Sequence, residues 1–223
     1  MKRIFTCSWL GFVLLIGILV GAPTFLCAES TQGTNEFKKA LKAEDSGNFV
    51  QAMKWYQTAA DKGNVDAENK IGLLYKDGTI FHDFKKAMIW FLKAAKHGNA
   101  NAAFNIGQLY DHGLGVTQDY KTAMEWYLKA AKQGDASADA FIGYLYELGH
   151  GVNKDYKVAM EWFQKAAAQG NARGDEGVGG LYANGRGVKE DLNVAIKWYE
   201  KAVKDGDEYA HEEIDNIRNY MAK

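Results

Sequence analysis

Five histidines, His82, His97, His112, His150 and His211, are the side chains best suited to metal or proton chemistry, and no two lie three to five positions apart. A zinc set needs such spacing, or cysteines to complete it. Both cysteines, Cys7 and Cys27, fall in the first 28 residues, so the rest of the chain has no thiol for a disulfide, a metal or covalent catalysis. His112 and His150 stand in corresponding turns and could approach one another, but read as solvated loop residues. No Gly-x-Ser-x-Gly elbow exposes a serine. The glycine pairs at Gly113-Leu-Gly, Gly149-His-Gly and Gly185-Arg-Gly follow no strand, and they lack the third glycine or Lys-Ser/Thr pair of a phosphate cradle. Glu125, Glu161 and Glu200 occupy the polar side of helices, and Glu161 precedes Lys165 by four, a helix-supporting pair. The sequence therefore predicts no catalytic residue, no metal ligand and no cofactor.

The elements that carry these residues repeat. Trp55, Trp90, Trp126, Trp162 and Trp198 follow one another at intervals of 35, 36, 36 and 36 residues, each inside a phrase such as Ala87-Met-Ile-Trp-Phe-Leu-Lys-Ala-Ala95. Ala87, Trp90, Phe91, Ala94 and Ala95 fall at i, i+3, i+4, i+7 and i+8, one stripe of a helix, with Lys86, Lys93 and Lys96 on the other side. Gly63, Gly98, Gly134, Gly170 and Gly206 close these helices. A preceding helix carries Ile71-Gly72, Ile106-Gly107, Ile142-Gly143 or Val178-Gly179. Glycine there costs about 1 kcal/mol against alanine, so an aromatic is expected to pack on bare backbone, with Trp90 and its counterparts as the candidates. Asp119, Asp155 and Asp191 are the expected N-caps of the second helices. One hairpin cannot bury both its faces, so neighbours must stack into a curved rod.

The chain of 223 residues is 47% hydrophobic and 25% charged, ordinary for a folded protein, with 27 basic against 28 acidic residues. That balance argues against a nucleic-acid partner. Lys2 and Arg3, the apolar run Trp9 to Val20, and the small residues ending at Ala28 have the order of a secretory signal peptide, residues 1–28. Leu26 is bulkier than the small residue usual three positions before cleavage, and it also argues against lipid modification of Cys27. Uncleaved, the leader would be the chain's only contact with a membrane, although twelve apolar residues are short of the roughly 20 of a span. Cleavage removes Lys2 and Arg3, leaving 25 basic against 28 acidic residues. The expectation is an exported protein, periplasmic or secreted.

The ordered residues Leu/Ile-Gly, Tyr, Gly-x-Gly-Val, Asp, Lys-Ala, Trp-Tyr, Lys-Ala-Ala and Gly-Asn resemble the Sel1-like repeat, a relative of the tetratricopeptide repeat with a longer turn between its helices. The resemblance implies an all-α fold, a right-handed α-solenoid of stacked helix-turn-helix units. The expected organisation is a polar lead-in at 29–34, a tetratricopeptide-like capping hairpin at 35–64, repeats at 65–99, 100–135, 136–171 and 172–207, and a capping helix at 208–223. In the first full repeat the turn at 78–83 is one residue short and has lost its second glycine, so its loop should differ in shape.

Relatives of this kind bind other proteins, and in such arrays the first helix of each hairpin lines the concave face. By that resemblance the partner-binding candidates are Asn69, Asn101, Phe104, Gln108, Asp111, Tyr144, Glu147, Arg173 and Glu176. Phe104 and Tyr144 are aromatics at non-repeating places, fit to anchor a partner, although Phe104 reads equally as packing between repeats. The expected function is a non-catalytic scaffold or adaptor of the bacterial envelope, or a secreted host-interaction factor, holding a peptide or helix of another protein. The alternative is a β-lactam-binding or hydrolysing enzyme, like the cysteine-rich members of the family. The paired cysteines that mark that group are missing here.

Overall fold

A computed structural model describes residues 33–78 and 81–223. The leader expected at 1–28 lies outside the described residues. Residues Gln32–Lys223 form one compact unit. Its described residues fold into helices α1 (Thr34–Asp45), α2 (Phe49–Asp61), α3 (Val65–Asp77), α4 (Phe84–Lys96), α5 (Ala100–His112), α6 (Tyr120–Lys132), α7 (Ala136–Leu148), α8 (Tyr156–Ala168), α9 (Ala172–Ala183), α10 (Leu192–Lys204) and α11 (Ala210–Met221). Among the described residues no helix is long and apolar enough to cross a membrane.

The helix starts are set locally. Asp119, Asp155 and Asp191 accept hydrogen bonds from the backbone N–H groups of the first turns of α6, α8 and α10, as their place in the sequence predicts. Asn64, Asn99, Asp135 and Asn171 do the same for the first helix of each hairpin, directly after a glycine at positive φ. A recurring backbone bond closes each hairpin turn: the N–H of Asp119, Asp155 and Asp191 donates to the carbonyl of Tyr110, Tyr146 and Tyr182 at 2.9, 3.0 and 3.1 Å. The shorter turn keeps the corresponding bond, Asp83 to Tyr75 at 2.8 Å, but Gly78 is extended where Gly113 and Gly149 are left-handed. The loop does differ in shape.

Each helix packs on its chain neighbours, giving an α-solenoid of stacked hairpins. The buried cores sit chiefly between hairpins. Phe91 and Ala94 of α4 join Ile106 and Leu109 of α5, Tyr127 and Ala130 of α6 join Ile142 and Leu145 of α7, and Phe163 of α8 joins Val178 and Leu181 of α9. Burying one such side chain contributes about 1.5–3 kcal/mol. The stack is therefore held together by the surfaces that a lone hairpin would leave in water. At the far end α11 closes the last of them with Ala210, Ile214 and Ile217.

The helix glycines do meet aromatic rings, but not those of the tryptophans. A Cβ at Gly107 would lie 2.5 Å from the Tyr127 ring, and one at Gly143 would lie 2.6 Å from the Phe163 ring; Gly72 faces Phe91 and Gly179 faces Tyr199 in the same way. The residue after each tryptophan points into its own hairpin. The tryptophan, rotated about 100° from it, packs back onto the preceding core, as Trp90, Trp126, Trp162 and Trp198 all do. A lysine one turn later covers the ring: the Lys93 and Lys129 ammonium groups each stand 3.9 Å from the indole centroid. The second glycine of each Gly-x-Gly turn makes another close approach. Gly115 has φ 70°, and a Cβ there would meet Phe84 at 2.7 Å, so the turn rests on the start of the previous second helix.

Candidate interaction surface

The first helices α3, α5, α7 and α9 stack in register, so residues about 36 apart occupy equivalent places on one face. On α5, α7 and α9 this face carries a run of aromatic rings. Phe104 lies 5.6 Å from Tyr127 and 5.2 Å from Phe141, Phe141 lies 6.1 Å from Tyr144, and Tyr144 lies 4.9 Å from Phe163, centroid to centroid. Phe104, Phe141 and Tyr144 are half-buried while Tyr127 and Phe163 are buried, so the run has an inner and an outer layer. The Arg173 guanidinium covers Phe141 at 5.7 Å, and the Tyr144 hydroxyl donates to Glu176 at 3.1 Å.

The other candidates on this face are mostly engaged within the array. Asp111 accepts from the Tyr127 hydroxyl at 2.9 Å, and the corresponding pair in the cap is Glu44 with Tyr56. Gln108 and Asn105 both accept from the Lys76 ammonium, and Glu147 pairs with Arg186 at 2.9 Å. Asn101 and Arg173 are exposed. Asn69 is a correction: it is buried, and its side-chain oxygen finds no partner among the described residues. It stands in register with Ala140, also buried, because the stack closes over this position unless a larger residue such as Phe104 or Glu176 reaches outward.

Two clefts open beside this surface at equivalent places in the stack. One of about 480 Å³ is lined by Asn101, Phe104, Asp135 and Ser137. The other, of about 570 Å³, is lined by Arg173, Glu176, Asp207, Glu208 and Tyr209, a residue that is 86% exposed. Burial raises the Glu176 carboxyl above the usual range, the Tyr144 hydroxyl opposes that shift, and the nearby carboxylate of Asp207 adds to it. Phe141 escapes the sequence-based selection although its signal is present: the equivalent residues are Lys70, Asn105 and Gly177, so its ring is as non-repeating as those of Phe104 and Tyr144. Among the described residues no group of three His, Cys, Asp or Glu side chains could hold a metal ion. His150 stacks on Tyr120 at 4.3 Å, and His97 meets Glu68 at 3.0 Å. The arrangement offers a ridge for contact, with aromatic anchors and a polar rim.

The Sel1 repeat model matches residues 45–64, 65–99, 100–135, 136–171 and 177–207. The chain belongs to the Sel1 repeat family. The crystal structure of a Sel1 repeat protein from Oxalobacter formigenes is similar over 83% of this chain and 78% of that one, with 36% identity and a TM-score of 0.74. A protective antigen of uropathogenic Escherichia coli, c5321, is 29% identical with a TM-score of 0.70 over 83% of this chain; the alignment spans 41% of that longer protein. The immunity protein Pa5087 of Pseudomonas aeruginosa, 20% identical over 80% of this chain and 67% of that one with a TM-score of 0.58, shares the fold. No curated protein sequence matches the chain. Sel1 repeat proteins are generally protein–protein interaction scaffolds without catalysis of their own.

Proposed function

We propose that this Sel1 repeat protein is an exported scaffold, acting in the bacterial envelope or on a host protein, that holds a peptide or helix of its partner along the first-helix face of α5, α7 and α9. The aromatic run Phe104, Phe141 and Tyr144 carries this reading. These rings sit at positions that the repeat leaves free to vary, and half-buried aromatics beside an arginine are the side chains that dominate binding energy at protein interfaces. The likeness to a protective antigen supports reading residues 1–28 as an export signal.

A photoreactive amino acid placed in living cells at Asn101 or Arg173, both exposed, tests the reading; Lys157 on the opposite face is the control. One protein captured from both first-helix positions, not from Lys157, and lost on Phe141→Ala in a protein that keeps its helicity is the expected result. Equal capture from either face, or none, would overturn it. Release of the protein by osmotic shock checks the export part separately.

A further inference from the structure

The opposite face of the stack, formed by the second helices, is not uniform. Two residues after each tryptophan stand Gln57, Leu92, Leu128, Gln164 and Glu200, and one residue before it stand Lys54, Ile89, Glu125, Glu161 and Lys197. At these two positions large aliphatic side chains break the polar pattern only on α4 and α6, where Ile89, Leu92 and Leu128 are 55%, 44% and 43% exposed; elsewhere on the second helices Val50, at the start of α2, is 49% exposed. α4 is the most basic helix of the unit, with Lys85, Lys86, Lys93 and Lys96 and no acidic residue; α6 carries Lys121, Lys129 and Lys132 with Glu125, the same balance as α10 with Lys197, Lys201, Lys204 and Glu200, but only α4 and α6 join the lysines to these aliphatic side chains. Lys85, Lys96, Lys121 and Lys132 form no ion pair among the described residues and project from the exposed side. This local excess stands out in a chain that is close to neutral overall.

We propose that the α4–α6 face is a docking surface for an anionic phospholipid bilayer, with the lysines held by the headgroups and Ile89, Leu92 and Leu128 dipping below them. Charge complementarity selects this occupant. All seven cations are lysines, compact charges suited to a diffuse anionic surface, whereas arginine supplies the fork that matches single carboxylates. A protein partner also anchors in pockets, and the clefts of this molecule open beside the first helices and the turns, away from Ile89, Leu92 and Leu128. Aliphatic side chains flanked by lysines on one helical face are the pattern of a segment lying in the membrane interface. The contact is independent of the leader and of the scaffold reading; it leaves the first-helix face free.

Vesicle sedimentation tests it on residues 32–223, which form a compact unit. Binding is expected to phosphatidylglycerol mixed with phosphatidylethanolamine, with none to phosphatidylcholine and weakening at high salt. The variant Lys85→Gln, Lys96→Gln, Lys121→Gln, Lys132→Gln should lose about 1,000-fold in partitioning. Ile89→Ser, Leu92→Ser, Leu128→Ser should lose about 10-fold or more, and the control Lys157→Gln, Lys197→Gln should change little. All these positions are exposed, and a second readout does not depend on the variants' stability. The unit has no native cysteine, so a polarity-sensitive dye on Leu92→Cys should shift to the blue on anionic vesicles while one on Gln164→Cys should not. Equal binding to neutral and anionic vesicles, no binding, or unshifted dye at Leu92 overturns the proposal. Dye shifted by polyglutamate but not by vesicles also overturns it, in favour of an acidic protein partner.

Discussion

In the cap and in the repeat at 100–135 the residue after the tryptophan is a tyrosine, and the last turn of the first helix supplies an acid. Tyr56 meets Glu44 and Tyr127 meets Asp111. Where the ring is Phe91 or Phe163, the equivalent positions are Lys76 and Glu147, which bond elsewhere. The two halves of the Tyr127 pair should thus respond unequally. Tyr127→Phe removes a donor from Asp111, which water can reach, and should change stability by less than about 1 kcal/mol. Asp111→Leu leaves a buried hydroxyl without a partner and should cost about 1–3 kcal/mol. Chemical denaturation of the two variants and the double variant, which should recover most of the loss, checks this. A second comparison involves the buried carboxylates Asp139 and Asp175, in register and both fully buried. Asp139 is satisfied by Lys165 at 2.7 Å and Gln169 at 2.6 Å. Asp175 has Lys201 at 2.6 Å, but Asp205 stands where Gln169 does, and one Asp175 oxygen has no partner among the described residues. Burial, reinforced by Asp205 and opposed by Lys201, raises the Asp175 carboxyl above its ordinary value. A carboxyl raised on folding contributes stability that is fully present below its unfolded value, about 3.9, and lost as pH rises through the folded one. Asp205→Gln should therefore raise Tm at neutral pH, with a smaller gain near pH 4 (about the unfolded value); melts of both proteins across that range decide it.

The helices and their caps are legible in the sequence because both are local. Asp119 precedes the apolar stripe of α6 whatever lies across from it, and the glycine that ends a helix needs only its own φ. The partner of the helix glycine is not legible in this way. Trp126 and Tyr127 are adjacent, and which of them faces Gly107 depends on how the hairpin's helices cross, a property of two surfaces together. The same limit affects the candidate site. Non-repetition picks out Phe104 and Tyr144, but that Asn69 is covered while Asn101 is open depends on the rise from one hairpin to the next. Glycines within the helices now divide by what their missing side chain would touch. Gly143→Ala gains about 1 kcal/mol of helix propensity but drives a methyl into the Phe163 ring, an overpacking that costs about 1–3 kcal/mol. Gly180→Ala meets only the Tyr199 hydroxyl at 3.7 Å and should keep the gain. Thermal melts should move in opposite directions, down for Gly143→Ala and up for Gly180→Ala.

Cores that lie between hairpins make the stack a chain of similar interfaces, with no single centre. That predicts an unusual tolerance. Removing residues 136–171 joins Asp135 to Ala172, so that an N-cap aspartate still precedes α9 and α6 meets α9 through the surface it had offered α7. Val178 then replaces Ile142, Leu181 replaces Leu145, and Gly177 comes opposite Tyr127 where Phe141 had been. The shortened chain should fold with unchanged helicity per residue. Its denaturant m-value should fall in proportion to its length, and its stability should drop by the lost interface and by the void left where Phe141 packed. Removing only residues 136–153 takes away fewer residues and should do more harm. It deletes α7 with its turn and sets two second helices in succession, so Tyr127 loses Ile142 and Leu145 while Phe163 loses Gly143 and Tyr144. Circular dichroism and urea melts of the two deletions separate a stack from a closed globule: in a closed globule the longer deletion would be the more damaging, whereas in a stack of interfaces the half-unit deletion unfolds and the whole-unit deletion does not.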